Sequence, residues 1–138
     1  MNFNDLLTDL AIETNALIRA AASSMNLSVS QAYHLFLIPF GGIPMSSLAK
    51  KLGLDASTLT RNISNLEGRK LIMRKPDIKD RRIHLIFLTN QGRSILKSIE
   101  EYIEEENYNL LTMIDLDTQE NLITILEKLS WAFTCKKN

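Results

Sequence analysis

The segment from Asp55 to Gly92 constrains the fold most, because a helical pattern in it runs directly into a β-prone pattern. Leu59, Ile63 and Leu66 recur at helical spacing, which predicts a helix over about 56–69 with one buried face. Its predicted exposed face carries short polar side chains and one basic residue, Arg61. This helix is therefore expected to present a polar face to a partner.

A basic hairpin is predicted after that helix. Residues 71–74 and 82–88 are β-prone and flank a turn at 75–81, so they predict two antiparallel strands. The turn region concentrates the cations Lys75, Lys79, Arg81 and Arg82. A hairpin in this position is the wing of a winged helix.

A helix-turn-helix is predicted just before the hairpin. Residues 45–52 form a short helix, and Gly53 suits the left-handed position that ends it. Asp55 then caps the helix over 56–69. Two short helices joined by a tight turn that contains glycine define this motif. Upstream, Ser28-x-x-Gln31 is a capping box that opens another helix.

The helices at both ends are more apolar than one small winged domain requires. Helices are predicted over about 4–25, capped by Asn4, over 90–113, and after a capping box at Asp117. An interface between two copies of the chain is the simplest use of their apolar stripes. The alternative is that they only cover their own core.

Charge is segregated along the chain, although the formal net charge is zero. Residues 50–97 hold twelve Lys or Arg against four Asp or Glu, a local charge of +8, and the remainder carries −8. Phosphates respond to the local field within a Debye length of ~8–10 Å, so this segregation outweighs the net charge. A polar helix beside a basic hairpin therefore predicts a reader of double-stranded DNA.

Other function classes find little support. No apolar run of about 18 residues predicts a membrane span. The single cysteine, Cys135, suits a reducing compartment, so we expect a cytoplasmic protein and a dispensable thiol. His34 and His84 have no cysteine or carboxylate at ligand spacing, and no phosphate-binding loop occurs. We expect no enzyme, no metal site and no cofactor.

Five motifs occur in a fixed order: Leu48-Ala49-x-x-Leu52, Leu59-Thr60-Arg61, Leu66-Glu67, Leu71-Ile72-x-Arg74, and Asp80-x-Arg82 followed by Leu88-Thr89-x-x-Gly92. In order and spacing they resemble the MarR (multiple-antibiotic-resistance regulator) family of winged helix-turn-helix regulators. The last motif is the most specific of the five, and the element order covers nearly the whole chain.

The resemblance implies a mainly α fold with a small β-wing, in which a winged helix-turn-helix domain is flanked by N- and C-terminal dimerisation helices. It implies one domain over residues 1–138, with the DNA-binding core at about 28–90. Dimerisation helices are then expected at about 1–25 and 90–138, intertwined in a homodimer. Family members commonly leave DNA when a small aromatic or anionic effector binds.

The resemblance also assigns the DNA contacts. The helix that Asp55 caps is expected in the major groove, where Arg61 and Asn62 carry sequence choice, and Arg82 is expected in the minor groove. The full set of predicted DNA-binding residues is Ser46, Ser47, Asp55, Ser57, Thr58, Thr60, Arg61, Asn62, Asn65, Arg74, Lys75, Lys79, Arg81 and Arg82. The alternative from another class is a winged helix module that binds a protein and has lost DNA binding.

Two positions need a local explanation. Asp80 cannot favour contact with phosphate, so we predict that it holds Arg82 or another nearby arginine through a charge-assisted hydrogen bond and thereby presets the wing. The alternative is a solvated turn aspartate, which contributes ~0–1 kcal/mol through any surface pair. Lys70 stands where the family usually has glycine. Either the turn differs there, or Lys70 accepts a left-handed conformation at ~1 kcal/mol.

Overall fold

The structure is a computed structural model, and it describes residues 1–137. The elements are α1 Phe3–Ser24, α2 Val29–Leu37, β1 Ile43–Pro44, α3 Met45–Leu52, α4 Ala56–Gly68, β2 Ile72–Pro76, β3 His84–Leu88, α5 Asn90–Leu111 and α6 Leu116–Lys137. The predicted mainly α fold with a small β-wing is confirmed. The chain divides into two compact units, Met1–Ile103 and Glu104–Asn138.

The first unit holds the hydrophobic core. Helices α1 to α5 contribute buried side chains, which in α4 recur at helical spacing, and β3 contributes Ile86 from its inner face. Burying one such aliphatic side chain contributes about 1.5–3 kcal/mol. The largest fully buried apolar side chains are Leu35, Leu48, Leu59, Ile63, Leu66, Leu71, Ile86 and Ile99.

The capping box that opens α2 is confirmed. Ser28 Oγ accepts from the backbone N–H of Gln31 at 3.1 Å, and Gln31 Oε1 accepts from the backbone N–H of Ser28 at 2.9 Å. Both orphan donors at this helix start are thereby satisfied.

Two other predicted caps were wrong by two residues. Asn2, not Asn4, caps α1, since its Oδ1 accepts from Asp5 N at 3.0 Å. Asp115, not Asp117, occupies the cap position of α6, since its carboxylate accepts from Thr118 at 3.0 Å. In both places several polar residues suit the cap, and their order alone does not decide where the first turn closes.

The helix-turn-helix has the predicted form. Gly53 ends α3 with φ +67°, the left-handed region that favours glycine. Asp55 caps α4 from the other side of the turn. Pro44 precedes α3 and offers no side-chain cap.

The sheet has one strand more than predicted. Its order is β1-β3-β2, with both pairs antiparallel, and Ile43 lies opposite Ile86. A strand of two residues is too short to leave a period-2 pattern in the sequence. The turn between β2 and β3 spans residues 77–83.

The base of the wing is a tight junction with α5. Thr89 Oγ1 donates to the Lys70 carbonyl at 2.7 Å and accepts from Gly92 N at 3.0 Å, and Thr89 N donates to the Leu71 carbonyl at 3.0 Å. A Cβ on Gly92 would clash with that Leu71 carbonyl oxygen. Lys70 takes φ +63°, so the left-handed alternative is the correct one. The motif Leu-Thr-x-x-Gly thus has a packing reason.

The second unit comprises the end of α5, a turn and α6. Among residues 116–137 no side chain is buried, and Trp131 remains 69% exposed. Gln119 Nε2 donates to the Leu111 and Ile114 carbonyls at 2.8 and 2.7 Å, which fixes the turn. Within the described chain, none of the helices combines the length and apolarity that crossing a membrane requires.

Candidate nucleic-acid interface

Helix α4 offers a polar face on the side opposite its core contacts. Leu59, Ile63 and Leu66 are buried, so the helical period turns the intervening residues outward. On the outer side Ser57, Thr60, Arg61 and Asn65 are exposed, whereas Thr58 and Asn62 are half-buried. The predicted reading face is therefore accessible.

Asp55 has a structural task in α4. Its Oδ1 accepts from the backbone N–H of Thr58 at 2.6 Å, the usual N-cap contact. Hydrogen bonds from Thr58 hold the pKa of the Asp55 carboxyl below its ordinary value. Thr60 likewise bonds within the helix, since its Oγ1 donates to the Ala56 carbonyl at 2.8 Å.

The two asparagines of α4 are hydrogen-bonded to α2. Asn62 Nδ2 lies 3.3 Å from His34 Nε2, and Asn65 Oδ1 accepts from Gln31 Nε2 at 3.3 Å. Arg69, just after α4, adds a third link by donating to the carbonyl of Asn26 in the loop before α2 at 2.8 Å. The outer face of α4 is thus positioned from α2.

The wing tip is basic, and it contains an ion pair between Arg82 and Asp80. Arg82 Nε donates to Asp80 Oδ1 at 3.1 Å, and Arg82 Nη2 donates to Asp80 Oδ2 at 3.2 Å, while the Arg82 side chain stays 91% exposed. The Arg82 contacts hold the pKa of the Asp80 carboxyl below its ordinary value. The predicted Asp80–Arg82 hydrogen bond is confirmed. Lys75, Lys79 and Arg81 are exposed around it.

Arg74 is engaged within the protein. Its Nη2 lies 2.6 Å from Glu67 Oε1 and 3.4 Å from Ser64 Oγ, which ties β2 to the end of α4. Lys75 lies over the Phe87 ring at 5.6 Å from its centroid. The stem of the wing, which is the part of β2 that holds Arg74 and Lys75, therefore borders the outer face of α4.

Helix α3 contributes the last predicted residues. Ser46 and Ser47 lie in its first turn, where Ser46 is exposed and Ser47 is half-buried. Their hydroxyls are of the kind that contacts phosphate oxygens.

A polar cavity of ≈ 300 Å³ lies between α2 and α4. Its lining residues are Ser28, Ser30, Gln31, His34, Arg61, Asn62, Asn65 and Leu66. Within residues 1–137 no cluster of three or more His, Cys, Asp or Glu has the arrangement of a metal site.

Sequence reasoning missed the residues that support the reading face. The sequence indicated Gln31 only as half of a capping box, and it indicated His34 only as a histidine without metal-ligand spacing. Their partners Asn65 and Asn62 are 34 and 28 residues away in sequence. No local pattern reports contacts at that separation.

Comparison with known proteins places the central segment in a family. Residues 37–84 match the family model described as MarR family. Over 94 residues the chain is 31% identical to the uncharacterized HTH-type transcriptional regulator YxaD of Bacillus subtilis strain 168, covering 68% of this chain and 66% of that protein. Over 87 residues it is 30% identical to YdgJ, another such regulator of the same organism, covering 63% and 53%. The chain thus spans just under two thirds of one relative's length and about half of the other's.

Solved structures share the fold over almost the whole chain. The apo form of wild-type MarR from E. coli has a TM-score of 0.80 at 22% identity and covers 94% of this chain and 96% of its own. The S. aureus MepR–DNA complex has a TM-score of 0.75 at 21% identity and covers 96% and 98%. At these identities the likeness establishes the winged helix-turn-helix fold.

Proposed function

This chain belongs to the MarR family of winged helix-turn-helix regulators, and from that premise we propose that it is a sequence-specific DNA-binding transcriptional regulator that represses as a homodimer. One observation carries the proposal: Arg82 is held by both carboxylate oxygens of Asp80 and is still 91% exposed. A fixed, exposed guanidinium on a basic β-ribbon suits insertion into a narrow minor groove.

Helix α4 is assigned to the major groove. Arg61 can pair with guanine, and Asn62 and Asn65 can pair with adenine. Ser57 and Thr60 are exposed at the start of the helix, Thr58 is half-buried beside them, and Ser46 and Ser47 would supply phosphate contacts from α3. Asp55 and Arg74 act indirectly, by capping α4 and by tying the wing stem to it.

The wing is assigned to the backbone and the minor groove. Lys75, Lys79 and Arg81 are exposed cations near Arg82, so they can neutralise phosphates on either side of the groove. Because a dimer doubles this surface, two wings and two α4 helices would bind half-sites about one helical turn apart.

The dimer is proposed from exposed apolar side chains. Helix α1 exposes Phe3, Leu6 and Leu10, and the second unit exposes Trp131 and Phe133. Apolar side chains in such number on a monomer mark an interface, and a two-fold interface reuses the same surface on both copies. Light scattering should therefore give twice the chain mass at micromolar concentration, and a monomeric mass would contradict this assignment.

Release by a small aromatic or anionic effector is the remaining element of the proposal. It is supported by the family alone. Titration of a preformed protein–DNA complex with a panel of small aromatic carboxylates tests it. Release by at least one compound, with no effect on a duplex bound by an unrelated protein, is expected.

The DNA-binding proposal is tested by selecting duplexes from a random pool and measuring the affinity of the selected duplex. If the dimer makes ~6–10 phosphate contacts, affinity should fall by ~10³–10⁵ between about 50 and 200 mM salt. The matched variants are Arg82→Ala and Lys136→Ala, since each removes one exposed positive charge. Arg82→Ala should weaken binding and Lys136→Ala should not.

No enriched duplex and no salt-dependent binding would refute the proposal and leave the protein-binding winged helix as the better reading. If Arg82→Ala and Lys136→Ala weaken binding equally, the wing contributes to binding only through its net charge.

A further inference from the structure

His34 is a buried histidine that contacts the proposed reading helix. Its side chain is 1% exposed, and within residues 1–137 it is the one charged or polar residue in the buried class. It lies in the last turn of α2 and faces the polar cavity that α2 shares with α4. A buried imidazole of this kind needs defined hydrogen-bond partners.

The partners of His34 determine its tautomer. Nδ1 lies 2.6 Å from the Ser30 carbonyl oxygen, which can only accept, so Nδ1 carries the hydrogen. In a neutral imidazole Nε2 is then an acceptor. Asn62 Nδ2, at 3.3 Å, donates to it.

That contact fixes the direction of the Asn62 amide. With Nδ2 turned to His34, Oδ1 lies on the opposite side of the amide. In the part of the chain that the structure describes, every polar side-chain atom that is buried in a half-buried residue has a hydrogen-bond partner. Asn62 is half-buried and its Oδ1 has no such partner, so Oδ1 is accessible to solvent. The amide edge offered outward therefore has one defined order of donor and acceptor.

Asn65 is oriented in the opposite sense. Gln31 Oε1 is occupied by the backbone N–H of Ser28 at 2.9 Å and lies 3.4 Å from Arg69 Nη1. Gln31 Nε2 therefore donates to Asn65 Oδ1 at 3.3 Å. Because Asn65 Oδ1 is occupied, Asn65 Nδ2 is the atom that faces outward, as a donor. The capping box of α2 thus determines the direction of a second amide on α4.

We propose that α2 sets the hydrogen-bond polarity of the reading helix, with His34 and Gln31 as positioning residues for the base readout by Asn62 and Asn65. This inference rests on the proposed DNA-binding function and deepens it. An asparagine pairs with a base edge through both its oxygen and its nitrogen, and a 180° rotation of the amide exchanges the two. The supporting residue therefore decides which base edge matches.

Protonation of His34 would reverse the Asn62 amide. With both ring nitrogens as donors, Nε2–H would face a donor, so the amide would turn and accept through Oδ1. Besides His34, Arg61 is the one ionisable side chain that lines the cavity. Among residues 1–137 no carboxylate lies within 4.0 Å of His34. Base preference at the Asn62 position therefore depends on His34 presenting an acceptor nitrogen to Asn62.

The first experiment uses the free, full-length protein and does not depend on DNA. Long-range ¹H–¹⁵N spectra of uniformly labelled protein report which ring nitrogen of His34 carries the hydrogen. The expected result at about pH 8 is hydrogen on Nδ1, with unprotonated Nε2 coupled to the Asn62 amide. Hydrogen on Nε2 would overturn the inference, whatever the protein does with DNA.

The second experiment measures discrimination at one base pair. The probe is the duplex selected by the protein from a random pool. The base pair read by Asn62 is the one whose substitution changes the affinity of the parent but not the affinity of Asn62→Ala. Discrimination there is compared for His34→Gln, whose Oε1 keeps an acceptor near the position of Nε2, and for His34→Leu, which removes it. Circular dichroism and melting curves confirm that each variant is folded.

At about pH 8, His34→Gln should keep the parent's discrimination, and His34→Leu should lose roughly 5- to 100-fold of it. In the Asn62→Ala background, His34→Leu should change nothing further at that base pair.

Equal discrimination by all three proteins would overturn the inference while leaving DNA binding intact, and so would an Asn62→Ala variant that alters preference at no base pair. Failure of the pool to yield any bound duplex would instead refute the proposed function, and this inference with it. If His34→Leu does not fold, the assignment of the hydrogen to Nδ1 or Nε2 of His34 in the free protein decides.

Discussion

The outer face of α4 and the tip of the wing are both polar and exposed, but they are ordered in different ways. On α4, Asn62 and Asn65 are each hydrogen-bonded from α2. At the wing tip, Lys79 and Arg81 are exposed cations, and Arg82 alone among the three is paired with a carboxylate. One surface is positioned by a neighbouring element, and the other mainly supplies charge.

This difference matches two separate demands of DNA recognition. Reading a base edge requires donors and acceptors in a fixed order, whereas neutralising phosphate requires charge near the backbone and tolerates movement. We therefore expect changes on α4 to alter sequence preference and changes at the wing tip to alter affinity and its salt dependence.

The largest expected effect comes from the base of the wing, where the hairpin joins α5. Gly92→Ala should lower the free energy of unfolding by about 3 kcal/mol, because its Cβ would clash with the rigid Leu71 carbonyl oxygen. Chemical denaturation measures the loss. Gly68→Ala is the control, since that Cβ meets open space within α4 and should stabilise the protein by about 0.5–1 kcal/mol.

A smaller effect is expected at the wing tip. Arg82→Ala should weaken DNA binding by about 1.5–3 kcal/mol, the usual range for a lost hydrogen bond to a charged group. Asp80→Ala should also weaken binding, despite the added net positive charge, because it releases Arg82 from its fixed position. The double variant should lose less than the sum of the two single losses.

Fluorescence anisotropy on one duplex provides all four affinities. Tighter binding by a folded Asp80→Ala protein would show that Asp80 only repels phosphate. The wing would then differ from α4 by having no positioned side chain at all.

Lys70→Gly should raise the free energy of unfolding by about 1 kcal/mol. Lys70 has φ +63°, and glycine takes that conformation without the steric cost. Equal stability of the two proteins in urea would mean that Lys70 contacts offset the strain.

The smallest effect concerns protonation of Asp80. Arg82 lowers the pKa of this carboxyl in the folded protein, so the ordering of the wing by the pair is present above the ordinary aspartate pKa and is lost as pH falls through the lowered value. Carboxyl ¹³C shifts should therefore titrate lower in the parent than in Arg82→Ala. Identical midpoints would remove the evidence for a persistent pair in solution.

The sequence predicted what depends on local spacing. The helix over 56–69, the capping box at Ser28 and the Asp80–Arg82 pair were all correct, because each involves residues within a few positions of one another. Strand β1 was missed because two residues carry no period.

The support of α4 by α2 could not be predicted in the same way. His34 meets Asn62 only because helix packing brings distant segments together, and nothing in either residue's neighbourhood indicates the contact. Arg74 was assigned to DNA from its charge, and the Glu67 carboxylate that pairs with it becomes evident only once β2 is placed beside α4.

Removing one charge from each surface tests directly whether α4 reads sequence while the wing tip supplies charge. Arg61→Ala and Lys79→Ala each remove one exposed positive charge, the first from α4 and the second from the wing tip. Each is measured on the selected duplex and on a scrambled duplex across a salt series.

Arg61→Ala should reduce the affinity ratio of selected to scrambled duplex by about tenfold, because Arg61 is assigned to a base edge. Lys79→Ala should weaken both duplexes alike and reduce the salt slope by about one. Equal loss on both duplexes from both variants would contradict the account, since α4 would then contribute charge and not sequence choice.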